Sequence, residues 1–361
     1  MMCRGSVAEE EVAAPVAGAN KRRPAISLAD IPFEETRAPE PAGPPFSALL
    51  EGGDKRQRWL KHWIGDPIQG AINHGTHAAL RPIPAGACSW LGAFLAPLAR
   101  RYNAKRIFAQ RIEHNLKALR PDLATNPAAA GRALAGWWRN VGRVYAEFSA
   151  IDRFWEEGRV ELAGREHLEA ALASGRPLIL PSVHLGTWEA IGVAMVKGLN
   201  LPVIGVYQPQ PSRFSNRIIY RVRQRYGVKV LPPGQRTARQ LHRLVGGNHA
   251  HLVMFIDEER ANQSHVPLFG RPIPQRGNAV TVVKLARAAK AMLLPVHMLR
   301  VGGTRFRLTF MAPMELVESG DARADIARNV ERISARFEPL IRENIEQWYM
   351  LAELRLPPTR Q

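Results

Sequence analysis

The sequence predicts an α/β fold, in which a mostly parallel or mixed sheet is covered by helices. Short apolar runs alternate with amphipathic segments after Asp152, which is the pattern of an α/β sheet. Residues 46–150 instead show helical periodicity, and residues 1–45 hold seven prolines and no sustained periodicity. We therefore expect a disordered tail over 1–45, a helical region over 46–150 and an α/β domain over 151–361.

The helical region is predicted from apolar residues that recur on one face. In residues 106–120, Ile107, Ile112 and Leu116 lie close to one side of a helix, with charged residues opposite. Residues 128–151 continue this spacing with large apolar side chains. These segments are expected to pack as amphipathic helices.

The strands of the α/β domain are predicted where short apolar runs occur: 177–183, 201–207, 228–231, 251–256, 292–299 and 305–310. The intervening and closing helices are predicted over 187–197, 213–227, 237–245, 279–290 and 321–348. Ligands of such sheets bind outside the carboxyl ends of the strands. His184 directly follows the first of these strands.

The charge of the chain indicates an anionic partner. The 361 residues carry a formal net charge of +18 at pH 7, while residues 1–45 alone carry −2. A body this basic suits nucleic acid, an acidic lipid surface or an acidic carrier protein. Cys3 and Cys88 are the only cysteines, which excludes a disulfide framework and a cysteine zinc site. We expect no metal, because the histidines lack acidic or cysteine partners at recognised intervals.

Membrane contact is expected at the surface rather than through a spanning helix. No apolar stretch has the length of a transmembrane segment, and the N-terminus lacks the basic start and apolar run of a signal peptide. The nearest candidate is 82–99, which contains three prolines and Trp90 and precedes Arg100 and Arg101. These residues suit a segment lying in a membrane interface, and they fit a buried hairpin of two short helices equally well.

The stretch "PSVHLGTWE" (181–189) places polar residues between two apolar runs. Gly186 permits a tight turn, and Thr187 is expected to cap the next helix. Across such a corner the Glu189 carboxylate can fold back onto the His184 imidazole and fix its tautomer, leaving the other ring nitrogen to take a proton from a hydroxyl. A cap histidine beside an acid at a helix start fits the same spacing.

The motif "HLGTWE" resembles the His-x4-Asp/Glu motif of glycerolipid acyltransferases, in the form typical of bacterial lipid A biosynthesis acyltransferases. Three further blocks match this family in order: "VELAGREHLEAALASGRPLILPSVHLGTWE", "FIDEERANQSHVPLFGRPIPQRGNAVTVVKLARAAKAMLLPV" and "NIEQWYM". An early helix, "NLKALRPDL", is also similar. The resemblance covers about residues 105–350.

The resemblance implies direct acyl transfer without an acyl-enzyme. His184, oriented by Glu189, would deprotonate a lipid hydroxyl, which attacks the thioester of an acyl carrier protein or coenzyme A. The family often carries Tyr-Arg-Pro after the second strand, but this chain has Tyr207-Gln208-Pro209. Arg213 or Arg276 is a candidate replacement for that arginine. The block Asp257-Glu258-Glu259-Arg260 replaces Asp-Gln-Asp, and Asp257 is expected to position substrate or cap a turn.

The remaining predicted substrate-binding residues are Gly186, Tyr207, Gln208, Arg213 and Arg217. Four arginines recur every four residues: Arg213, Arg217, Arg221 and Arg225. Two interpretations stay open. The arginines form a ridge for lipid phosphates, phosphopantetheine or an acidic carrier protein, or they form a solvated face or pair with carboxylates elsewhere in the chain.

The resemblance implies a membrane-associated enzyme at the cytoplasmic face of the bacterial inner membrane, attached peripherally or monotopically. The acceptor would be a lipid A precursor or a related anionic glycolipid, with no cofactor beyond the acyl donor. Acylation of a lysophospholipid, ornithine lipid or other polar lipid is the alternative within this class. A basic nucleic-acid-binding protein is the alternative from another class, but no stacking or helix-turn-helix signature accompanies the charge, so no nucleic-acid partner is expected.

Overall fold

A computed structural model describes residues 26–356. Seven α-helices occupy the N-terminal part of this range: α1 (Ser47–Leu50), α2 (Gly53–Leu60), α3 (Asp66–Leu80), α4 (Ala85–Asn103), α5 (Ile107–Leu119), α6 (Pro121–Ala124) and α7 (Pro127–Glu147). A π turn, Lys61–Gly65, joins α2 to α3 without a break. The predicted helical region is thus helical. Of the stretch 82–99, residues 85–99 lie in one continuous helix, α4, rather than in a hairpin of two.

The predicted tail divides at residue 26. Residues 1–25 lie outside the described residues, whereas residues 26–45 contain a 3-10 turn, Phe33–Thr36, and contact the α/β domain. Glu35 binds Arg236, and Glu40 binds Arg217 through two hydrogen bonds of 2.7 Å each. The acids of this segment face a basic surface, so the segment is held by charge pairing that its composition does not predict.

The α/β domain contains ten strands and six helices within the described residues. The strands are β1 (Val160–Ala163), β2 (Leu178–Ser182), β3 (Val203–Val206), β4 (Lys229–Leu231), β5 (His251–Phe255), β6 (Glu259–Arg260), β7 (Gln263–Ser264), β8 (Met292–Leu293), β9 (Val296–Gly302) and β10 (Arg305–Phe310). The helices are α8 (Arg165–Ala173), α9 (Ala190–Val193), α10 (Arg213–Tyr226), α11 (Gln235–Gly246), α12 (Asn278–Ala289) and α13 (Ala322–Glu343).

The central sheet is parallel, with the strand order β4-β3-β5-β2-β8. A second sheet has the order β1-β10-β9, in which β1 and β10 are parallel and β10 and β9 antiparallel. β6 and β7 form a separate antiparallel pair. All five residues of β2 are buried, as expected for a strand that is covered on both faces. The predicted α/β class with a mostly parallel or mixed sheet is confirmed.

Two predicted elements differ from the structure: one strand is divided, and the closing helix is shorter. The run 292–299 divides into β8 and β9, which belong to different sheets, because Pro295 between them lacks the N–H that a continuous ladder needs. The closing helix ends at Glu343 and is followed by two 3-10 turns, Ile345–Gln347 and Tyr349–Ala352. The residues between and around these turns reach the candidate site.

Candidate active site

The candidate site forms where the two central strands β2 and β5 end side by side. In their parallel register Ser182 lies opposite Phe255. His184 and Asp257 each follow by two residues, so both extend beyond the carboxyl edge of the sheet at neighbouring positions. This edge is where α/β sheets bind their ligands.

His184 and Asp257 form a hydrogen-bonded pair. His184 Nδ1 lies 2.8 Å from Asp257 Oδ1, and the backbone N–H of His184 donates to Oδ2 at 2.9 Å. The Asp257 carboxylate is fully buried, whereas the imidazole is 21 % exposed. An ionised carboxylate accepts the proton of Nδ1, so the geometry assigns that proton to Nδ1 and leaves Nε2 as the acceptor. This arrangement leaves Nε2 able to accept a proton.

Aromatic rings fix the plane of the imidazole. The His184 ring stacks on Phe255 at 4.4 Å between centroids and meets the edge of Trp188 at 5.1 Å. Trp188 in turn contacts Tyr349, whose hydroxyl lies 2.8 Å from that of Tyr145. Burial raises the pKa of the Tyr349 hydroxyl. The imidazole is thus held among aromatic rings, and 21 % of the side chain is exposed.

The C-terminal segment completes the carboxylate's hydrogen bonds. The buried indole of Trp348 donates from Nε1 to Asp257 Oδ2 at 2.9 Å, and the Tyr349 N–H donates to the His184 carbonyl at 2.9 Å. Trp137 of α7 donates to the Trp348 carbonyl at 2.8 Å. Asp257 consequently accepts three hydrogen bonds, which offset the cost of burying its charge.

The turn after His184 is tied to the rest of the fold. Gly186 has φ +56°, and a Cβ there would lie 2.8 Å from the Met298 carbonyl, so only glycine fits without a shift. The Thr187 hydroxyl donates to the buried Glu147 carboxylate, which also binds Arg300 at 2.6 and 2.8 Å. Thr187 therefore anchors this turn instead of capping the helix, which begins at Ala190. Motif spacing gave no signal for Glu147 or Arg300.

The carboxylate that contacts the imidazole is not that of Glu189, and this corrects the predicted orientation. Glu189 instead binds the Arg223 guanidinium through both of its oxygens and accepts a hydrogen bond of 2.8 Å from the Tyr226 hydroxyl. Burial disfavours its charge, but Arg223 and the hydrogen bonds outweigh burial and hold the pKa of Glu189 below its ordinary value. Glu189 follows His184 by five residues, and at this position its side chain contacts α10 rather than Nδ1.

The strand end after β3 brings Tyr207 to the same cluster. The Arg223 guanidinium lies 4.9 Å above the Tyr207 ring, and the Tyr207 hydroxyl donates to the Thr36 carbonyl at 3.1 Å. One nitrogen of Arg223, Nη1, is buried without a hydrogen-bond partner among the described residues. Gln208 is exposed beside Tyr207. Arg223 was not singled out from the sequence, because its role depends on α10 packing against the turn that carries Glu189.

The other predicted arginines are not grouped with His184. Arg213 donates to the His62 carbonyl at 2.8 Å and lies 3.8 Å from Asp66, while Arg217 binds Glu40. Arg276 is exposed. Steps of four residues advance about 40° around a helix, so α10 presents its arginines to different neighbours. Arg225 likewise pairs with a carboxylate of the chain. Substrate binding by Arg213, Arg217 and Arg276 stays a prediction.

Glu258, which follows Asp257, carries a strongly shifted pKa. Burial raises the pKa of its carboxyl from 4.5 to about 8, and the neighbouring Asp257 charge acts in the same direction. Its Oε1 accepts a hydrogen bond of 2.6 Å from the Asn278 N–H at the start of α12. Glu258 is therefore largely protonated at neutral pH and is not the base.

Glu258→Gln is expected to remove a pH-dependent loss of stability. In the folded chain Glu258 keeps its proton up to about pH 8, whereas the unfolded chain releases it above about pH 4.5. The contribution of this carboxyl to the free energy of unfolding is therefore fully present below pH 4.5 and is lost as the pH rises through 8. Gln keeps the acceptor for Asn278 and cannot ionise. Melting temperatures across this range should fall less in the variant, with a difference of a few degrees above pH 8. The exposed Glu166→Gln is the control; equal pH slopes in all three proteins would contradict the assignment.

Within residues 26–356, no three His, Cys, Asp or Glu side chains come together as a metal site. No helix in this part of the chain combines the length and apolarity needed to cross a bilayer.

The protein thus combines an α/β fold with a histidine that a buried carboxylate holds at the edge of a parallel sheet. The sequence matches the family model described as bacterial lipid A biosynthesis acyltransferase over residues 59–355. Because this match spans most of the chain, the protein belongs to that family, as the sequence motifs predicted. It is an acyltransferase, and the family match supports a lipid A acyltransferase activity. No curated protein matches the sequence significantly.

Proposed function

We propose that the protein moves a fatty acyl chain from an acyl carrier protein or coenzyme A thioester to a hydroxyl of a lipid A precursor or related bacterial glycolipid. It works at the cytoplasmic face of the inner membrane, without a cofactor and without an acyl-enzyme. The observation that carries this proposal is the His184–Asp257 pair, whose Nε2 is left as a proton acceptor.

In the proposed reaction His184 acts as general base. Nε2 takes the proton of the acceptor hydroxyl while its oxygen attacks the thioester carbonyl, and Asp257 stabilises the resulting imidazolium. The tetrahedral oxyanion collapses by breaking the carbon–sulfur bond. The departing thiolate takes the proton from His184, which restores the neutral base.

Direct transfer is supported by the state of the cysteine that the structure describes. Cys88 is buried, its thiol donates to the Leu80 carbonyl at 3.3 Å, and burial raises its pKa. A nucleophilic cysteine needs an exposed thiol with a lowered pKa. Cys88 has the opposite properties, so it is a packing residue.

Arg223 is our candidate for the family's arginine, in place of Arg213 or Arg276. It is the arginine that binds Glu189 of the motif and lies over Tyr207. Because Glu189 balances its charge, we assign it a hydrogen-bonding role through the free Nη1, toward an acceptor phosphate or the oxyanion.

Mass spectrometry of total lipids from cells with and without the gene tests this function. We expect one glycolipid species to gain the mass of a single acyl chain when the intact gene is present. Cells that carry His184→Ala should resemble cells without the gene. Purified protein given acyl carrier protein and coenzyme A thioesters in parallel then identifies the donor. An unchanged lipid profile, or a mass shift confined to phospholipids or ornithine lipids, would overturn the lipid A assignment.

A further inference from the structure

Exposed apolar side chains are concentrated in one part of the chain. Among the described residues, thirteen of the sixteen exposed large apolar side chains lie between residues 46 and 107. The other three are Tyr145, Leu172 and Val301. The α/β domain thus hides its apolar residues, as a water-soluble body does, while the helices before it do not.

Helices α3 and α4 each present an uncharged face to solvent. On α4 the exposed side chains follow one stripe: Trp90, Phe94, Leu98 and Tyr102. The face of α4 with Cys88, Gly92 and Ala96 is buried, and Gly92 approaches Gly142 of α7. Residues 82–99 contain no charged side chain. A helix on a water-exposed surface normally carries charged residues on its outer face.

The face formed by α3 and the π turn before it has the same character. Ile64, Ile68 and Ile72 recur every four residues and are 46–63 % exposed. The opposite face packs on α10, where Gly70 meets the Phe214 ring. Asp66 is the one charged residue of α3, and it binds Lys61. We call these faces of α3 and α4 together the apolar helix faces.

The segment that carries these faces is rich in positive charge. Residues 51–106 contain nine Lys or Arg and three Asp or Glu, a net charge of +6. Arg81 lies between the two helices, and Arg100, Arg101, Lys105 and Arg106 follow at the end of α4. Two copies of this surface would repel one another, whereas an anionic lipid surface attracts it.

We propose that the apolar helix faces dock in the headgroup region of an anionic bilayer, with both helices lying along the membrane. Amphipathic helices with a basic border and Trp bind in this way, by burying apolar area and neutralising lipid charge. The proposal rests on the proposed function in that the acceptor is a membrane lipid, but docking itself requires no turnover. The docking surface would hold the enzyme where that lipid is found.

Vesicle sedimentation of the full chain tests the docking. The probes are vesicles of phosphatidylcholine with phosphatidylglycerol, and vesicles of phosphatidylcholine alone. Replacing Trp90, Phe94 and Leu98 by Gln should lower the partition coefficient about 100-fold, and so should replacing Ile64, Ile68 and Ile72. Replacing Arg100 and Arg101 by Gln should weaken binding to the anionic vesicles about 20-fold, and much less on phosphatidylcholine alone.

The matched control is Leu172→Gln with Val301→Gln, which removes exposed apolar side chains of the α/β domain. It should bind as the unaltered chain does. If either helix variant precipitates, Trp fluorescence of the unaltered chain gives the same information. Lipids with brominated acyl chains should quench this fluorescence, and the quenching should be weaker in Trp90→Phe. The proposal fails if the helix variants bind like the control, or if they only convert a dimer into monomers.

These outcomes are separable from a failure of the proposed function. His184→Ala should bind vesicles like the unaltered chain although it transfers no acyl group. If it still transfers acyl groups while the helix variants lose binding, the proposed chemistry fails and the docking surface stands.

Discussion

His184→Ala is expected to lower kcat for acyl transfer by about 10²–10⁴-fold. The imidazole is the group at the sheet edge whose Nδ1 is held by a buried carboxylate and whose second nitrogen is left to accept a proton. The substitution removes this acceptor while the backbone hydrogen bond from residue 184 to Asp257 is kept. We therefore expect the fold to persist, with a modest loss of stability from the lost contact with Phe255.

The measurement is kcat with a saturating thioester donor, alongside circular dichroism and the melting temperature. His114→Ala, at an exposed position on α5, is the matched control and should keep full activity. Full turnover by His184→Ala would show that another group takes the proton. A large fall in the melting temperature would instead assign His184 a structural role.

Asp257→Asn is expected to lower kcat about as strongly, by about 10²–10⁴-fold, with little change in KM. The carboxylate accepts bonds from the His184 backbone, from Nδ1 and from the Trp348 indole. An amide has one acceptor oxygen, so its NH₂ group must face one of these donors. It also favours the imidazole tautomer with the proton on Nε2, which cannot act as a base.

Glu189→Gln is the comparison that separates the two carboxylates. Because Glu189 balances Arg223, its replacement leaves a guanidinium half unpaired and should reduce stability more than it reduces kcat. Asp257→Asn should instead reduce kcat more than it reduces stability. If Glu189→Gln loses more turnover than Asp257→Asn, the orientation predicted from the His-x4-Glu motif is right and the role assigned to Asp257 is wrong.

The position of His184 was predictable because it depends on local sequence. A buried apolar run, a glycine and a second apolar run specify a strand, a turn and a helix start, which place the residue at a sheet edge. Its partner was not predictable in this way. Asp257 lies beside His184 only because β5 is the neighbour of β2, and strand order is a property of the whole sheet.

The partners of the charged residues were also not predictable from local sequence. The arginine spacing of α10 is visible in the sequence, but the carboxylates that pair with it come from other segments, such as Glu40 and Asp152. Residues 26–45 have the composition of a flexible tail, and their pairing depends on a basic surface that forms only in the folded chain. Local sequence patterns therefore predict helices and strands, whereas the role of a charged side chain depends on contacts with residues distant in the sequence.

The Trp348 donor to Asp257 has a consequence for biosynthesis. The indole is supplied 91 residues after the carboxylate that it binds, and close to the end of the described chain. While a ribosome still covers residue 348, the strands of the sheet that carries His184 have all been translated, yet Asp257 lacks one of its three donors. The carboxylate beside His184 therefore gains its third donor only in a chain that has been translated at least as far as residue 348.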